Sequence, residues 1–385
     1  MKSSLMKQFP PSIFSRLKEA AKHYEGEVID LSLGSPDIPP ASFIRETLSE
    51  ASKRPDSYGY TMTGLPAFQR AVAHYYEKTQ GVSLQPETEV LQTMGSQEGL
   101  VHLPLAFCEE GDIVLTTNPA YVAYDTGISL AKAVPYALPL KEDNHFLPDL
   151  DAVPEEIAKK AKLLILNLPG NPVPATPTKE FFERVVQFAK TYNILVLHDA
   201  AYSEFCYDGV RPPSFLSVKG AKECGLETNS LSKSFSLAGA RIAYFVGNDA
   251  MIQTLKELKS NLDYGVFQPI QEAATQALLR SEEVTEPLRD IFAARHRLLS
   301  EGLRRLGWYV TPSQTGMFLW VRPPYEGTSE DIAFRLIEQT GVVTVPGTSF
   351  GSEGEGYLRI ALVAPLDQLK EVLRRLQKHE EESNV

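Results

Sequence analysis

Little in this chain points to a stapled, metal-held or membrane-spanning protein. Only three cysteines, Cys108, Cys206 and Cys224, occur in 385 residues, and they lie far apart. An odd count is a poor disulfide framework, and no CxxC or Cys/His pairing offers a zinc site. A reduced, cytoplasmic setting fits that usage. No apolar run is long enough to span a membrane, and the stretch from Met1 to Glu27 lacks the apolar core of a secretory signal, so a soluble, unprocessed chain is expected. Positive charge is short as well: 38 Lys+Arg against 49 Asp+Glu leave a formal net charge of −11. That balance disfavours nucleic acid or an anionic membrane as the main partner. An anionic ligand would need a locally built positive site. No internal repeat or low-complexity tract is visible. Neither Gly64 nor Gly95 belongs to a GxGxxG after a strand-like run, which removes a nicotinamide-binding reading.

What is present is an ordinary globular composition, 43% hydrophobic, with chain enough for two or three domains. GDIVLTTNP (111–119), AKLLILNLPGNP (161–172), NILVLHDAAYSE (193–204) and ETNSLSKSF (227–235) each place a strand-like run before turn or polar residues. TKEFFERVVQFAKTYN (178–193) has apolar positions at helical spacing between two of them. Strand, helix, strand in succession predicts a right-handed parallel α/β sheet, with ligands beyond the carboxyl ends of its strands. From about Thr285 the texture changes. A charged helical pattern over 286–307 leads into TGMFLWVRPP, GVVTVPGTSFG and GYLRIALV, then an amphipathic helix over 366–379, which reads as a smaller α+β domain. The tail from His379 to Val385 reads as a fraying helix end. The first 45 or so residues are too short to fold alone and are expected to pack on the smaller domain.

SLSKSFSLAGARIAYFVGN (230–248) carries the most chemistry. Lys233 is flanked by serines and small apolar residues rather than the charges of a solvated face. A buried ε-amine beside cations or apolar walls loses its proton more readily and becomes nucleophilic. Ser230 lies three positions before it and Arg241 eight after it; hydroxyl and guanidinium together suit a phosphate monoester. Taken alone, Lys233 is better read as a buried lysine satisfied by a carboxylate, with Arg241 in a surface ion pair.

Other segments supply possible partners, each with a plain structural alternative. NILVLHDAAYSE ends a run at His198–Asp199, with Tyr202 three residues on. Asp199 would hold a pyridinium nitrogen protonated or cap the next helix. Tyr202 would hydrogen-bond an oxyanion on the same ring, and His198 is read as a packed neighbour. MGSQEGL (94–100) is a turn leading into a helix, whose free N–H groups at Gly95, Ser96 and Gln97 suit a phosphate or merely start a helix. Tyr121 would stack on a flat cofactor or pack at a sheet edge. Asn171 would donate to a ring oxygen or form an Asx-turn. Arg359, in the apolar run GYLRIALV, needs an anionic partner, either a substrate carboxylate or a structural one.

Together these segments resemble the class I/II aminotransferases of pyridoxal-phosphate fold type I, nearly end to end from LSLGSPD (31–37) to GYLRIALV (356–363). The resemblance implies an α/β fold: a large domain with a mainly parallel seven-stranded sheet flanked by helices, plus a smaller α+β domain. It divides the chain into 1–45, packing with the small domain, 46–285, the large cofactor-binding domain, and 286–385, the small domain. It makes Lys233 the Schiff-base lysine and general base, with Asp199 at the pyridine nitrogen, Asn171 and Tyr202 at the ring oxygen, and Tyr121 on the ring face. Gly95, Ser96, Gln97, Ser230 and Arg241 would hold the phosphate, Arg359 the substrate carboxylate, and Gly34 would lie on the loop covering it. Asn171 would also touch substrate. It implies a homodimer with shared sites, where a partner tyrosine reaches the phosphate; Tyr60 is the candidate here, with Tyr58 the other.

Three positions depart from the family pattern: Val173 and Pro174 follow Asn171-Pro172 where relatives read NPTG, and Ala240 precedes Arg241 where many have tryptophan. HDAAYSEFCYDGVRPPSFLSVKGAKE (198–223) is similar to the branch of LL-diaminopimelate and methionine-type aminotransferases. The activity implied is ping-pong transfer of an amino group between an L-amino acid and a 2-oxo acid. A carbon–sulfur β-lyase on the same fold is the nearest alternative, and a non-catalytic regulator retaining the fold is another. Arg45, Arg54 and Lys78 are unranked possibilities for a second anion-binding group.

Overall fold

The computed structural model describes Met6 and residues 12–383; the rest of the N-terminal stretch and the last two positions of the acidic tail lie outside the described residues. The strand–helix–strand pattern resolves as the periodicity predicts. The helix Lys179–Tyr192 buries Phe181, Phe182, Val185, Val186 and Ala189 on one face. Thr178 caps its start by accepting from Phe181 N at 3.1 Å, and Asn193, in the left-handed conformation, ends it. The strand Leu195–Asp199 follows at once.

Seven strands form the central sheet, in the order Val90–Thr93, Ala243–Gly247, Gly225–Ser230, Leu195–Asp199, Ala161–Asn167, Ile113–Asn118, Val134–Pro139. Every pairing is parallel except the two made by Ala243–Gly247, which runs against both neighbours. Helices cover both faces, so Gly225–Ser230 and Ala243–Gly247 are buried at every residue, and Ala161–Asn167 at every residue but Lys162. That is why alternation is missing from LLILN and LETNS while strands are still recognisable.

The second layer is a four-stranded antiparallel sheet, Val345–Pro346, Leu358–Ala361, Phe318–Arg322 and Tyr309–Val310. The long helix Ser281–Arg305 starts before the texture change at residue 285, and it packs against the closing helix Leu366–Ser383. The closing helix runs through most of the acidic tail. In the early chain, Ile29–Asp30 pairs in parallel with Val342–Val343, and Arg16 bonds Glu330 at 2.6 Å. From Ser42 the chain turns to the large sheet's side, where Ser42–Ser52 packs on Gln268–Leu279. A buried carboxylate fastens the long helix to the large sheet: Glu204 accepts from Arg289 Nη2 at 2.7 Å and from both Arg211 amino groups at 3.3 Å.

The helix Ser96–Phe107 lies close on the reversed strand because residue 99 has no side chain. A Cβ at Gly99 would sit 2.1 Å from Phe245 Cε2. Gly99→Ala therefore overpacks this contact and should cost about 1–3 kcal/mol, measured by denaturant unfolding. Unchanged stability would mean that the helix slides freely on the sheet.

Candidate functional site

The carboxyl ends of the parallel strands carry Asn118, Asn167, Asp199 and Ser230, and a cavity of about 220 Å³ opens there. Of the residues to which the family resemblance gives a place at the cofactor or substrate, Gly34, Ser96, Gln97, Tyr121, Asn171, Asp199, Tyr202, Ser230, Lys233, Arg241 and Arg359 line it, and Gly95 and Tyr60 do not. Strand register explains the convergence. Asn167 pairs with Asp199 across the sheet, and Ala243 stands opposite both Ser230 and Thr93. Arg241, just before the reversed strand, is thereby set between the Ser230 end and the turn at Gly95.

Lys233 sits on a single helical turn, Leu231–Ser234, whose N-cap is Ser230: its hydroxyl oxygen accepts from Ser232 N at 3.1 Å and keeps its own proton to donate. The Lys233 amine donates to Gly34 O across the cavity. Burial, then the charges of Arg359 and Arg241, push its pKa down to about 8, while Asp199 pulls the other way. The lysine is thus partly deprotonated near neutral pH, as a nucleophilic amine must be.

Asp199 does not cap a helix. Its Oδ1 accepts from Ala201 N at 3.1 Å and its Oδ2 from the Tyr124 hydroxyl at 2.8 Å. Burial raises its pKa, and these two donors work against the rise. Asn167 donates to Asp199 O at 2.8 Å and accepts from Asn171 N at 2.8 Å, so the strand ends are locked to one another. The Asn171 side-chain oxygen accepts from Arg359 Nη1 at 2.7 Å, which turns its amide NH₂ the other way. Burial pushes the Tyr202 hydroxyl up, keeping it a proton donor at neutral pH. His198, as expected, is packed away, between Glu227 at 2.9 Å and Leu168 O at 2.7 Å.

At the opposite wall, the helix Ser96–Phe107 points its first turn, with the N–H groups of Ser96 and Gln97, at the cavity. Gly95 contributes differently from what the sequence suggests. Its own N–H goes to Thr93 O at 2.9 Å, and its value is room: a Cβ there would lie 2.3 Å from Arg241 Nη2. At φ +78° only glycine is at ease in any case. Arg241 holds Ala238 O at 2.9 Å and leaves its outer nitrogen toward this cradle. Tyr121 reaches Gln97 Oε1 at 3.3 Å, and Ala240 lies in the short helical turn before Arg241.

Arg359 is buried, and burial draws its pKa down to about 10, still a cation at neutral pH. Its bonds go to neutral acceptors, Asn171 Oδ1 and Ser32 O, and its Nε has no partner. Phe318 lies under its guanidinium at 4.5 Å and also limits residue 34, where a Cβ would meet the same ring at 2.7 Å. Val173 is buried in the core and Pro174 packs against Gly316, so the turn after Asn171 is held by apolar contact. Arg45, Arg54 and Lys78 are engaged elsewhere, with Pro40 O, Glu272 and Glu282. Sequence reasoning missed Tyr124, Asn167, Ser232, Phe14 and Leu33. Tyr124 and Asn167 were within reach, at a helical step from Tyr121 and at the end of a predicted strand. Phe14 and Leu33 carried no signal, because they arrive from the segment that packs on the smaller layer.

Tyr60 stands apart, 83% exposed, its ring against Tyr264 at 5.1 Å. Tyr58 is tied down by its hydroxyl to Ser52 O at 2.8 Å. Phe267 lies against Tyr58 at 5.2 Å, and both it and Tyr264 are exposed, apolar surface of the kind that meets another protein. No described helix is long and apolar enough to cross a membrane.

Residues 26–376 match the family model described as aminotransferase class I and II. The chain is 42% identical over 376 residues to the LL-diaminopimelate aminotransferase of Desulforudis audaxviator, covering 97% of this chain and 96% of that one. It is 41% identical over 379 residues to that of Aquifex aeolicus, covering 97% and 98%. Among solved structures, that of substrate-bound BacF from Bacillus subtilis is similar with a TM-score of 0.95 at 36% identity, over 98% of each chain.

The lowered lysine pKa has a direct test. Only the neutral amine attacks an aldehyde, so capture of added pyridoxal phosphate by ligand-free protein should accelerate as pH rises through about 8. The growth of an absorption band that borohydride removes gives the rate, and Lys233→Ala should show none. A rate that is flat across that midpoint would contradict the lowered pKa.

Proposed function

The chain belongs to the class I and II aminotransferases, pyridoxal-phosphate enzymes that move an amino group between an amino acid and a 2-oxo acid, and on that footing we propose that LL-diaminopimelate is its amino donor and that the candidate residues divide the work as set out here. The cavity suits the cofactor. An uncrowded cradle at Gly95 faces a guanidinium, helix N–H groups lie beside it, and a buried carboxylate stands away from it at the Leu195–Asp199 strand end. Once bound, pyridoxal phosphate supplies an aldehyde that combines with amines and a ring that takes up an electron pair.

In this reading Ser96, Gln97, Ser230 and Arg241 hold the phosphate, Gly95 making the space. Asp199, fixed by Tyr124 and Ala201, keeps the ring nitrogen protonated. Tyr202 and Asn171 donate to the ring oxygen, and Tyr121 covers one face. Lys233 would hold the cofactor through its amine and, with that amine free, would take the proton from the donor's Cα. Arg359 orients that donor through its carboxylate. The observation that carries this is the state of Arg359: a buried cation bonded only to neutral acceptors, with one nitrogen unpartnered, in the same cavity as the lysine. The far end of the donor extends along Phe14 and Leu33 toward the mouth.

The relatives' activity supports LL-diaminopimelate, and the local likeness over 198–223 points the same way. The exposed patch around Tyr60 supports a homodimer in which Tyr60 enters the second copy's phosphate site. The three free thiols fit a cytoplasmic setting. We also take 1–45, 46–285 and 286–385 as the working division of the chain, the first packing with the last.

An amino-donor panel with 2-oxoglutarate as acceptor decides the substrate. LL-diaminopimelate should give the highest kcat/KM among it, methionine, aromatic amino acids, aspartate and alanine; a faster methionine or aromatic donor would overturn the assignment. Arg359→Lys exchanges a fork of donors for a point charge, removing about 1.5–3 kcal/mol of charged hydrogen bonding. Its kcat/KM should fall roughly 10- to 100-fold. Sedimentation of the purified enzyme should give twice the 42.7 kDa chain mass; an active monomer would remove the shared site.

A further inference from the structure

Behind the phosphate turn, away from the cavity, lies an ion cluster that no part of the reaction uses. Lys259 is 3% exposed, and its amine stands 2.8 Å from both oxygens of Asp263 and 3.4 Å from Glu98 Oε2. Glu98 follows Gln97 directly. Its Oε2 also accepts from Met94 N at 2.8 Å, and its Oε1 meets His102 Nδ1 at 2.8 Å, so one carboxylate clamps both sides of the turn that holds Gly95, Ser96 and Gln97. On the far side, Asp263 Oδ1 accepts from Gly265 N at 2.8 Å.

That second contact leads to the tyrosine segment. Tyr264 O accepts from Thr61 N at 3.2 Å, and Thr61 Oγ1 donates to Val266 O at 2.6 Å. Gly265, at φ +91°, lies so close that a Cβ would be 2.5 Å from Thr61 O. Gln271 completes the tie by donating to Thr61 Oγ1 at 2.9 Å and accepting from Leu65 N at 2.7 Å. Residues 61–65, next to Tyr60, are therefore bound to residues 264–271, and these to the phosphate turn through Lys259.

Burying a lysine between two carboxylates is a poor route to stability, since desolvation offsets much of the attraction. What such a cluster gives is direction. We propose that Lys259 is a positioning residue, and that Glu98–Lys259–Asp263 couples the phosphate turn of one subunit to the Tyr60 segment that it offers to the second copy. The coupling rests on the reading above that this turn holds the phosphate. Loosening either end of the cluster lets the turn relax, and the loss appears in recognition of the phosphate alone.

The test compares pyridoxal phosphate with pyridoxal, which has the same ring and aldehyde and no phosphate. Dissociation constants for both are measured on ligand-free dimer by absorbance titration, for the unmodified protein and for Glu98→Gln, Asp263→Asn, the double variant and Arg241→Ala. Lys259→Met strands two half-buried carboxylates and is expected to fold poorly, so the isosteric pair decides. Glu98→Gln and Asp263→Asn should each weaken pyridoxal phosphate about tenfold and leave pyridoxal unchanged, and the double variant should be no worse than either, as for members of one network. The Asp263→Asn result carries the most weight, because residue 263 lies across Lys259 from the turn. If Arg241→Ala shifts the ratio while the two isosteric variants leave it unchanged or weaken both ligands equally, the coupling is overturned and the phosphate site stands. If Arg241→Ala leaves the ratio unchanged too, the phosphate assignment falls with it.

Discussion

Among the described residues lining the cavity, Asp199 is the only carboxylate, and Lys233, Arg241 and Arg359 share the space. Two guanidinium cations and a partly deprotonated amine against one carboxylate leave the cavity positive, inside a chain whose own net charge is −11. The arrangement is tolerable because each cation is partly answered by neutral oxygen: Gly34 O for the lysine, Ala238 O for Arg241, Asn171 Oδ1 and Ser32 O for Arg359. A phosphate ester, carrying up to about two negative charges, balances the remainder, and a substrate carboxylate then faces a guanidinium with a free nitrogen. Asp199 could not play its part if it drifted. Tyr124 and Ala201 take one oxygen each, and Asn167 holds its backbone, so burial alone does not decide its protonation.

The sheet supplies these groups from distant parts of the chain. Asp199 and Ser230 come from adjacent parallel strands, Arg241 from the entry to the one reversed strand, and Gly95 from the exit of the edge strand beside it. The second layer brings Arg359 on its own sheet, and Phe318 in that sheet limits Gly34 on the covering segment. The cavity is thus closed by two separately built layers whose relative position is fixed by contacts such as Glu204 with Arg289.

Much of this was legible in the residues. Buried parallel strands leave apolar runs ending in polar residues, which marks Asp199 and the turn at Asn171, while Ser230 is marked by its spacing from Lys233. Lys233 and Arg241 were visible as charges in small, uncharged surroundings. The rest depends on tertiary placement. Tyr124 looks like any core tyrosine until its hydroxyl is seen on Asp199, and Phe14 enters the wall from a helix docked on the other layer. Gly95 was picked for its backbone donor, yet that N–H is spent on Thr93 O. Its contribution, space beside a guanidinium contributed some 150 positions later, leaves no trace in local sequence.

The reversed strand Ala243–Gly247 gives the segment before it an unusual status. Residues 231–242 connect two neighbouring antiparallel strands, and connections of this kind ordinarily absorb insertions and deletions without harm. Here both anchors are fixed by register, Ala243 opposite Ser230 on one side and Thr93 on the other. With those anchors held, one residue more or less between them would shift Lys233 or Arg241 from its place at the cavity. With Leu231, Ser234, Phe235, Leu237 and Ile242 buried, this connection therefore has the length tolerance of a core strand, and related sequences should align across it without gaps even where its residues differ.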